Sequence, residues 1–358
     1  MSFQPTRRRI LAAAAALPFA PAALLRAAEP DLTGLADMTA GAKPIRAAER
    51  AGRLSRAQAL MRANGIAAVL VEPGSSMIYF TGVRWSRSER PTVALLPAEG
   101  QPCIITPFFE EPSVRESLGV PAEVRVWQED GDAMAVAAGW LRERGLARGP
   151  IGIEETVRRF IPEGLAHRLP DAKLASANPV VRGCRMIKTP PEIALMQLAT
   201  DVTMAAYRWT YQRVETGMTG AEIGALMDAA TSRLGGSPEF ALVLIGPASA
   251  LPHGSREVHR VAAGQVVLMD CGCTVHGYQS DVSRTFVHGT PTQRQRTVWE
   301  QVAQGQRVAI EAARIGAAAG SVDDAVRRYY TGLGYGPDYK LPGLSHRTGH
   351  GIGLDGHE

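Results

Sequence analysis

Two aspartates, Asp270 and Asp281, lie in neighbouring strand-like segments in the second half of the chain. Residues 274–277 between these segments are typical of a four-residue turn that ends in glycine. If the hairpin is symmetric about that turn, Asp270 lies directly opposite Asp281, with the Cβ atoms about 5 Å apart. Carboxylates that close repel each other unless a proton or a cation lies between them. The pair is therefore a candidate metal site.

A second interpretation of the hairpin stays open at this point. One aspartate could cap the turn while the other points to solvent. A bulge of one residue would separate the two carboxylates in this way, because it moves the following side chains to the other face of the sheet.

Histidines cluster in the same half of the chain, which holds seven of the eight. His346, His350 and His357 alternate with glycines at 349, 351 and 353, which disfavour a helix. No glutamate follows His346, so the segment is not the two-histidine helix of zinc metalloproteases. A glycine-rich strand or loop can instead bring His350 close to a metal. A lone histidine is more often an ordinary polar residue, but three beside glycines favour a site.

The first part of the chain is predicted to form an α/β domain that precedes this site. Helices and strands alternate there, which is typical of that class. The apolar periodicity predicts helices at 53–64, 133–144 and 157–168, and strands at 66–71, 77–80, 92–96, 104–107 and 150–154.

The second part is predicted to contain four helices around a hairpin region at 239–288. Capping boxes at Thr189 and Thr219 begin the first two helices, and the first also has proline in its opening position. Similar signals at Thr290 with Gln293, and at Ser321, begin the third and fourth. The predicted organisation is a linker at 29–48, an N-terminal domain at 49–185 and a catalytic domain at 186–358.

Residues 1–28 are typical of a twin-arginine signal peptide. Arg7 and Arg8 precede an apolar, alanine-rich run at 10–20, and small residues follow at 20–22. The run is short and is interrupted by Pro18 and Pro21, so a permanent membrane span is disfavoured. We therefore expect export by the twin-arginine route to the periplasm.

The charge of the rest of the chain argues against nucleic acid as a partner. The formal net charge is +4, and residues 1–28 contain four arginines and no acidic residue, so the remainder carries 4 − 4 = 0. A neutral body without a basic stripe does not favour nucleic-acid binding. The four cysteines form no disulfide framework, and we expect small buried thiols.

Taken together, these motifs resemble those of one enzyme family, over about residues 50–358. Met-Asp-Cys-Gly at 269–272 with Ser-Asp-Val-Ser-Arg-Thr-Phe at 280–286 resembles the metal hairpin of the pita-bread metallopeptidases, the family of Xaa-Pro aminopeptidases and prolidases. His-Arg-Thr-Gly-His-Gly-Ile-Gly-Leu-Asp-Gly-His-Glu at 346–358 resembles their histidine segment. Leu-Pro-His-Gly at 251–254 and the segment 185–193 are also similar. The resemblance implies a creatinase-like α/β N-terminal domain followed by an α+β pita-bread catalytic domain.

The same resemblance implies a role for each matching residue. Asp270 would chelate one divalent ion, Asp281 would bridge two ions, and His350 would bind the second. The ions would be Mn²⁺, Co²⁺, Zn²⁺ or Fe²⁺, since oxygen ligands with one imidazole suit all four. His253, His346 and His357 would bind substrate or stabilise the tetrahedral intermediate.

The implied reaction is hydrolysis of the amide bond before proline by a metal-bridging hydroxide. The substrate would be a dipeptide or a longer peptide with proline second, as for an Xaa-Pro dipeptidase or aminopeptidase. A homodimer or higher homo-oligomer is expected by the same analogy, with the N-terminal domain shaping the rim of a neighbouring site.

The sequence departs from the family pattern in one respect. The family has two further glutamate ligands after the histidine segment, and Glu358 matches neither. We therefore expect a catalytic domain incomplete at its C-terminus, belonging to a longer protein, since a natural short form would be inactive.

Other functions on the same fold stay open. Metal-free creatinase-like enzymes are disfavoured by the retained ligands. A small-molecule amidohydrolase or lyase remains an alternative, as does a non-catalytic binding module.

Overall fold

The computed structural model describes residues 30–358, so the signal peptide predicted for residues 1–28 lies outside the described part of the chain. The α-helices there are α1 (Ala47–Ala63), α2 (Ser75–Thr81), α3 (Glu111–Glu116), α4 (Ala133–Glu143), α5 (Phe160–Arg168), α6 (Asn178–Arg185), α7 (Pro190–Tyr211), α8 (Gly220–Arg233), α9 (Gln293–Ala312) and α10 (Ala319–Gly332). The strands are β1 (Ala68–Val71), β2 (Val93–Pro97), β3 (Cys103–Pro107), β4 (Glu123–Trp127), β5 (Ile151–Ile153), β6 (Leu174–Ser176), β7 (Ser237–Ile245), β8 (Val266–Val275), β9 (Tyr278–Gln279) and β10 (Val282–Val287). Short 3-10 helices occupy Phe108–Glu110 and Gly246–Ala250.

The first sheet is mixed and has helices on both faces. Its strand order is β4-β3-β2-β1-β5-β6, and β2 runs antiparallel to both of its neighbours. Every residue of β1, β2 and β3 is buried, as expected for strands covered on both sides. Leu70 belongs to the apolar cluster that contains α4 and α5, whereas Val69 and Val71 belong to the cluster that contains α1, α2 and α6. This division follows from the two-residue period of a strand.

Several predictions in this half differ from the structure. The strand predicted at 77–80 is wrong, because these residues form α2, which ends at Gly82 with a left-handed φ of 82°. A short, mostly buried apolar run has no polar face from which helix and strand can be distinguished. The edge strands β4 and β6 and the short helices α3 and α6 were not predicted. Helix α1 begins at Ala47, inside the predicted linker at 29–48.

The second sheet carries the two aspartates. Strand β8 lies between β7 and β10, and β9 pairs with its end. Met269, Cys271 and Cys273 are buried in a cluster that includes residues of α7 and α8, while Asp270 lies on the opposite, more open face. Helices α7 and α8 begin with the predicted capping boxes at Thr189 and Thr219. The period-two pattern of β8 thus separates its core face from its polar face.

The register of the hairpin corrects the sequence-based prediction. The turn contains two residues, His276 and Gly277, with φ of 50° and 87°, as a two-residue hairpin loop requires. Asp270 therefore lies opposite Ser283, so the predicted direct opposition to Asp281 is wrong. The register differs by two residues, and an even shift leaves every side chain on its predicted face. The two aspartates consequently share a face as diagonal neighbours.

The last two helices begin at other residues than predicted. The capping box of α9 is formed by Thr292 and Gln295, two residues after the predicted pair at Thr290 and Gln293. Helix α10 begins at Ala319, ahead of Ser321. No helix within residues 30–358 combines the length and apolar character that a membrane crossing needs.

A buried ion pair joins the two halves of the chain. Arg53 of α1 lies 3.1 Å from Oε1 of Glu192 on α7, and both side chains are almost fully buried. The Tyr278 hydroxyl donates to the same oxygen over 2.9 Å, and Arg53 donates to Tyr278 over 2.7 Å. Oε2 of Glu192 accepts hydrogen bonds from the backbone and side chain of Thr189, both at 2.8 Å. One carboxylate therefore serves both the start of α7 and the contact between domains.

We expect Arg53→Ala to destabilise the protein by about 3–5 kcal/mol, because the substitution leaves Glu192 buried without its cation. Urea denaturation of the purified protein measures this change. The control is Arg159→Ala, which removes an exposed pair with Glu163 and should cost about 0.5 kcal/mol or less. Equal effects of the two substitutions would contradict a stabilising role for the buried pair.

Candidate metal centre

Asp281, His350 and His357 meet beside the hairpin. Their ligand atoms all lie within 4.8 Å of one another, which is close enough for a single cation to contact all three. Nε2 of His350 is 3.4 Å from Oδ2 of Asp281. The rings of His350 and His357 are stacked, with centroids 3.8 Å apart and planes 13° from parallel. Residues separated by about seventy positions in the sequence thus form one cluster.

A backbone contact orients His350 for metal binding. Its Nδ1 atom lies 2.9 Å from the carbonyl oxygen of Gly351. A carbonyl can only accept, so the hydrogen bond assigns the proton of a neutral imidazole to Nδ1. The lone pair is then on Nε2, the atom that faces Asp281. Histidine ligands in proteins are commonly oriented by such a second contact.

The second aspartate lies next to this cluster. Asp270 accepts a hydrogen bond from the Ser283 hydroxyl over 2.6 Å, across the register pair that the two residues form. Burial raises the pKa of Asp281, and the negative charge of Asp270 raises it further, while His350 and His357 oppose the shift. Asp270 is therefore close enough to disfavour the charged form of Asp281, as expected of a site that binds a cation.

Contacts with the hairpin and with α10 position the histidine segment. The Gln279 backbone amide donates to the Gly353 carbonyl over 2.8 Å, only two residues from Asp281. Asp323 of α10 accepts hydrogen bonds from the backbone and hydroxyl of Thr348, at 2.8 and 2.6 Å. Arg327, which pairs with Asp323, also donates to the His346 carbonyl over 2.7 Å. No sequence motif had indicated these residues, because they contact the segment mainly through its backbone.

The far end of the segment is bound at the junction between the two predicted domains. The Glu358 carboxylate pairs with Arg185 and lies 2.7 Å from Nζ of Lys188. Arg185 also contacts Asp355 at 2.7 Å and donates to Ser76 of α2 over 2.9 Å. These pairs lower the pKa of Glu358 although burial acts against them. Glu358 thus stabilises the segment beside His357 and is not among the clustered ligand atoms.

Two of the predicted histidines lie apart from the cluster. His346 is exposed, and its Nδ1 atom lies 2.7 Å from the Arg347 carbonyl. His253 is exposed in the loop that follows the 3-10 helix Gly246–Ala250. Among the described residues, neither belongs to the group of ligand atoms around Asp281. Their roles toward a substrate stay predictions, and so does that of His357, although one of its ring nitrogens lies within 4.8 Å of the ligand atoms of Asp281 and His350.

An open cleft of about 450 Å³ gives access to the cluster. One wall is formed by the hairpin and the other by the histidine segment and α9. The lining residues are Asp281, Val282, Ser283, Arg284, Gln306, Gly349, His350 and Ile352. A carboxylate and an imidazole at the edge of such a cleft can bind a cation that remains accessible to a small substrate.

Two family models match nearly all of the described chain. The creatinase/prolidase N-terminal domain matches residues 53–187, and metallopeptidase family M24 matches residues 194–358. An uncharacterised peptidase of Schizosaccharomyces pombe is 31% identical over 94% of this chain and 76% of its own length. The Xaa-Pro dipeptidase of Pyrococcus furiosus is 31% identical over 58% of this chain, which spans 59% of that protein.

Solved structures agree with these matches. The dipeptidase PepE of Mycobacterium ulcerans superposes with a TM-score of 0.80 and 30% identity, over 88% of this chain and 84% of that one. A prolidase of Thermococcus sibiricus gives 0.77 and 28%, over 86% and 82%. The predicted fold class, a creatinase-like domain followed by a pita-bread domain, is confirmed. The chain therefore belongs to metallopeptidase family M24 and carries the creatinase/prolidase type of N-terminal domain.

Proposed function

We propose that the native protein hydrolyses the amide bond before proline in dipeptides or short peptides, with divalent metal ions held by Asp270, Asp281 and His350. The observation that carries this proposal is the convergence of Asp281, His350 and His357 beside an open cleft. The relatives named above support the substrate class, since they include an Xaa-Pro dipeptidase and a prolidase.

The donor set fits a divalent cation. Asp281 is partly buried next to Asp270. The described residues that shift the pKa of Asp281 are Asp270, His350 and His357, and none of them is a lysine or an arginine that could balance the two carboxylates. The imidazole of His350 presents Nε2 to the same place. Carboxylate oxygens with imidazole nitrogen suit Mn²⁺, Co²⁺, Zn²⁺ or Fe²⁺. Two carboxylates on one face would suit two ions, and Asp270, Asp281 and His350 would hold them.

The bound ions would supply a Lewis acid and would lower the pKa of an attacking water. The protein's own part is to place its ligands and to admit the substrate. Gly351 fixes the ring of His350, and Ser283 fixes the carboxylate of Asp270. His357, stacked on His350 and exposed, is assigned a substrate contact on family resemblance. We assign substrate contacts to His253 and His346 on family resemblance.

The first test is a substrate panel with the native protein. We expect metal-dependent hydrolysis of dipeptides that end in proline, complete loss of activity with a chelator, and recovery on addition of Mn²⁺ or Co²⁺. Dipeptides without proline and tripeptides with proline second separate dipeptidase from aminopeptidase and general peptidase activity. Hydrolysis that survives full metal removal would contradict the proposed mechanism.

A ligand variant tests the assignment of His350. His350→Ala should lower kcat/KM by more than about 100-fold, because even residues that only support a metal ligand often contribute 10–100-fold. His288→Ala is the control, since His288 lies near the end of β10 and its Nε2 is 3.0 Å from the Thr216 hydroxyl. Comparable losses of kcat/KM in both variants would contradict the assignment of His350 as a metal ligand.

Asp281→Asn should stabilise the metal-free protein at neutral pH by about 0.5 kcal/mol, on the scale of a partly exposed charge contact. The folded-state pKa of Asp281 is raised above its ordinary 3.8, so the protonated form favours folding. Wild type and variant should therefore be equally stable below pH 3.8. The wild type should lose stability relative to the variant as pH rises through the folded pKa.

Thermal unfolding of both proteins against pH, after chelation, measures this difference. Asp171→Asn, at an exposed position, is the control and should leave the pH profile unchanged. Added Co²⁺ should stabilise the wild type but not Asp281→Asn. A variant less stable than wild type at neutral pH would show that the two carboxylates do not oppose each other.

A further inference from the structure

Tyr207 of α7 forms hydrogen bonds directly behind the metal hairpin. Its side chain is buried, and the hydroxyl lies 2.9 Å from the Met269 carbonyl and 2.6 Å from the Val282 carbonyl. These carbonyls belong to adjacent strands, β8 and β10. A tyrosine hydroxyl has one proton, so it donates to one carbonyl at a time or is shared between them. In either case a single group connects the two strands from the core side.

The two carbonyls that Tyr207 contacts belong to residues adjacent to the predicted metal ligands. Met269 directly precedes Asp270, and Val282 directly follows Asp281. Met269 faces the core cluster that contains Tyr207, whereas Asp270 points to the opposite face. The hydroxyl therefore lies behind the sheet at the level of both carboxylates. It contacts neither of them and can affect them only through the backbone.

The backbone around Asp281 is paired less regularly than the rest of the hairpin. Strand β9 ends at Gln279 and β10 begins at Val282, and between them the Ser280 amide donates to the Cys273 carbonyl over 2.9 Å. On the other side of Asp281, the Ser280 hydroxyl lies 2.7 Å from the Thr203 hydroxyl and accepts from the Cys273 amide over 3.0 Å. Both Ser280 and Thr203 are buried, where such bonds are stronger than in water.

Thr203 and Tyr207 lie one turn apart on the same face of α7. Their hydroxyls bond the residues on either side of Asp281, one before it and one after it. Helix α7 itself is fixed at its start by the capping box of Thr189 and Glu192. The helix thus presents two hydroxyls at a constant spacing to the part of the hairpin between β9 and β10.

We propose that Thr203 and Tyr207 are positioning residues, which fix the backbone on both sides of Asp281 and so set the spacing of the metal ligands. The expected effect on metal binding rests on the proposed function, since it can be seen only if a cation binds to these residues. Its structural content, a hairpin fixed from behind by two hydroxyls, does not depend on that function.

Two isosteric substitutions remove these hydroxyls with little change in volume. Tyr207→Phe and Thr203→Val should each weaken Co²⁺ binding about tenfold, as is common when a residue that supports a metal ligand is lost. They should also speed amide exchange of residues 279–284 in the metal-free protein, because the segment between β9 and β10 loses a hydrogen bond from α7.

Each substitution has a matched control. Tyr79→Phe removes another buried tyrosine hydroxyl, which donates to the Cys184 carbonyl over 3.0 Å, away from the hairpin. Thr210→Val removes a buried hydroxyl of α7 for which the described residues provide no partner. Both controls should keep the Co²⁺ affinity and the exchange of residues 279–284 at wild-type values, whatever their effect on stability.

The experiment is a Co²⁺ titration of the chelated proteins, followed by absorption, together with hydrogen exchange measured by mass spectrometry. Weaker binding and faster exchange in Tyr207→Phe and Thr203→Val, but not in the controls, support the proposal. Unchanged affinity in both variants overturns it. If the wild type binds no Co²⁺, the proposed function is contradicted. In that case, amide exchange at wild-type rates in both variants would also overturn the proposal that the two hydroxyls fix the hairpin.

Discussion

Two carboxylates, Asp270 and Asp281, face the same side of one antiparallel hairpin, and their mutual repulsion is what the surrounding structure has to resist. Burial raises the pKa of Asp281, and the negative charge of Asp270 raises it further. Nothing in a two-stranded ribbon would keep the groups together, since such ribbons are marginally stable by themselves. The hairpin is instead covered by α7 and α8 on its core face, paired with β7 at one edge, and contacted by the histidine segment at its tip.

The histidine segment has no regular secondary structure, and its position is determined by polar contacts at both ends. Asp323 of α10 bonds its first half, while Arg185 and Lys188 bond its last residue. These partners come from α10 and from the junction between the two halves, so elements distant in the sequence together position His350 beside Asp281. A site on a loop can be well ordered in this way, provided that rigid elements fix the loop.

Much of this arrangement could be predicted from residue types and spacing. Capping boxes gave the starts of α7 and α8, and the two-residue period of β8 placed Asp270 away from the core. The turn could not be predicted, because His276 adopts a left-handed backbone conformation that histidine enters less often than glycine or asparagine. The contact of His357 with His350 and Asp281 was also missed, because such proximity depends on tertiary structure, on which residue spacing gives no information.

Glu192 has one oxygen in the capping box of α7 and the other in the contact with Arg53 and Tyr278. Separating the domains would therefore loosen the first turn of the helix, and fraying that turn would weaken the domain contact. The two halves also share one apolar cluster. They should melt as one cooperative unit, and a chimera that exchanges the N-terminal domain would have to keep the Arg53, Glu192 and Tyr278 partners matched.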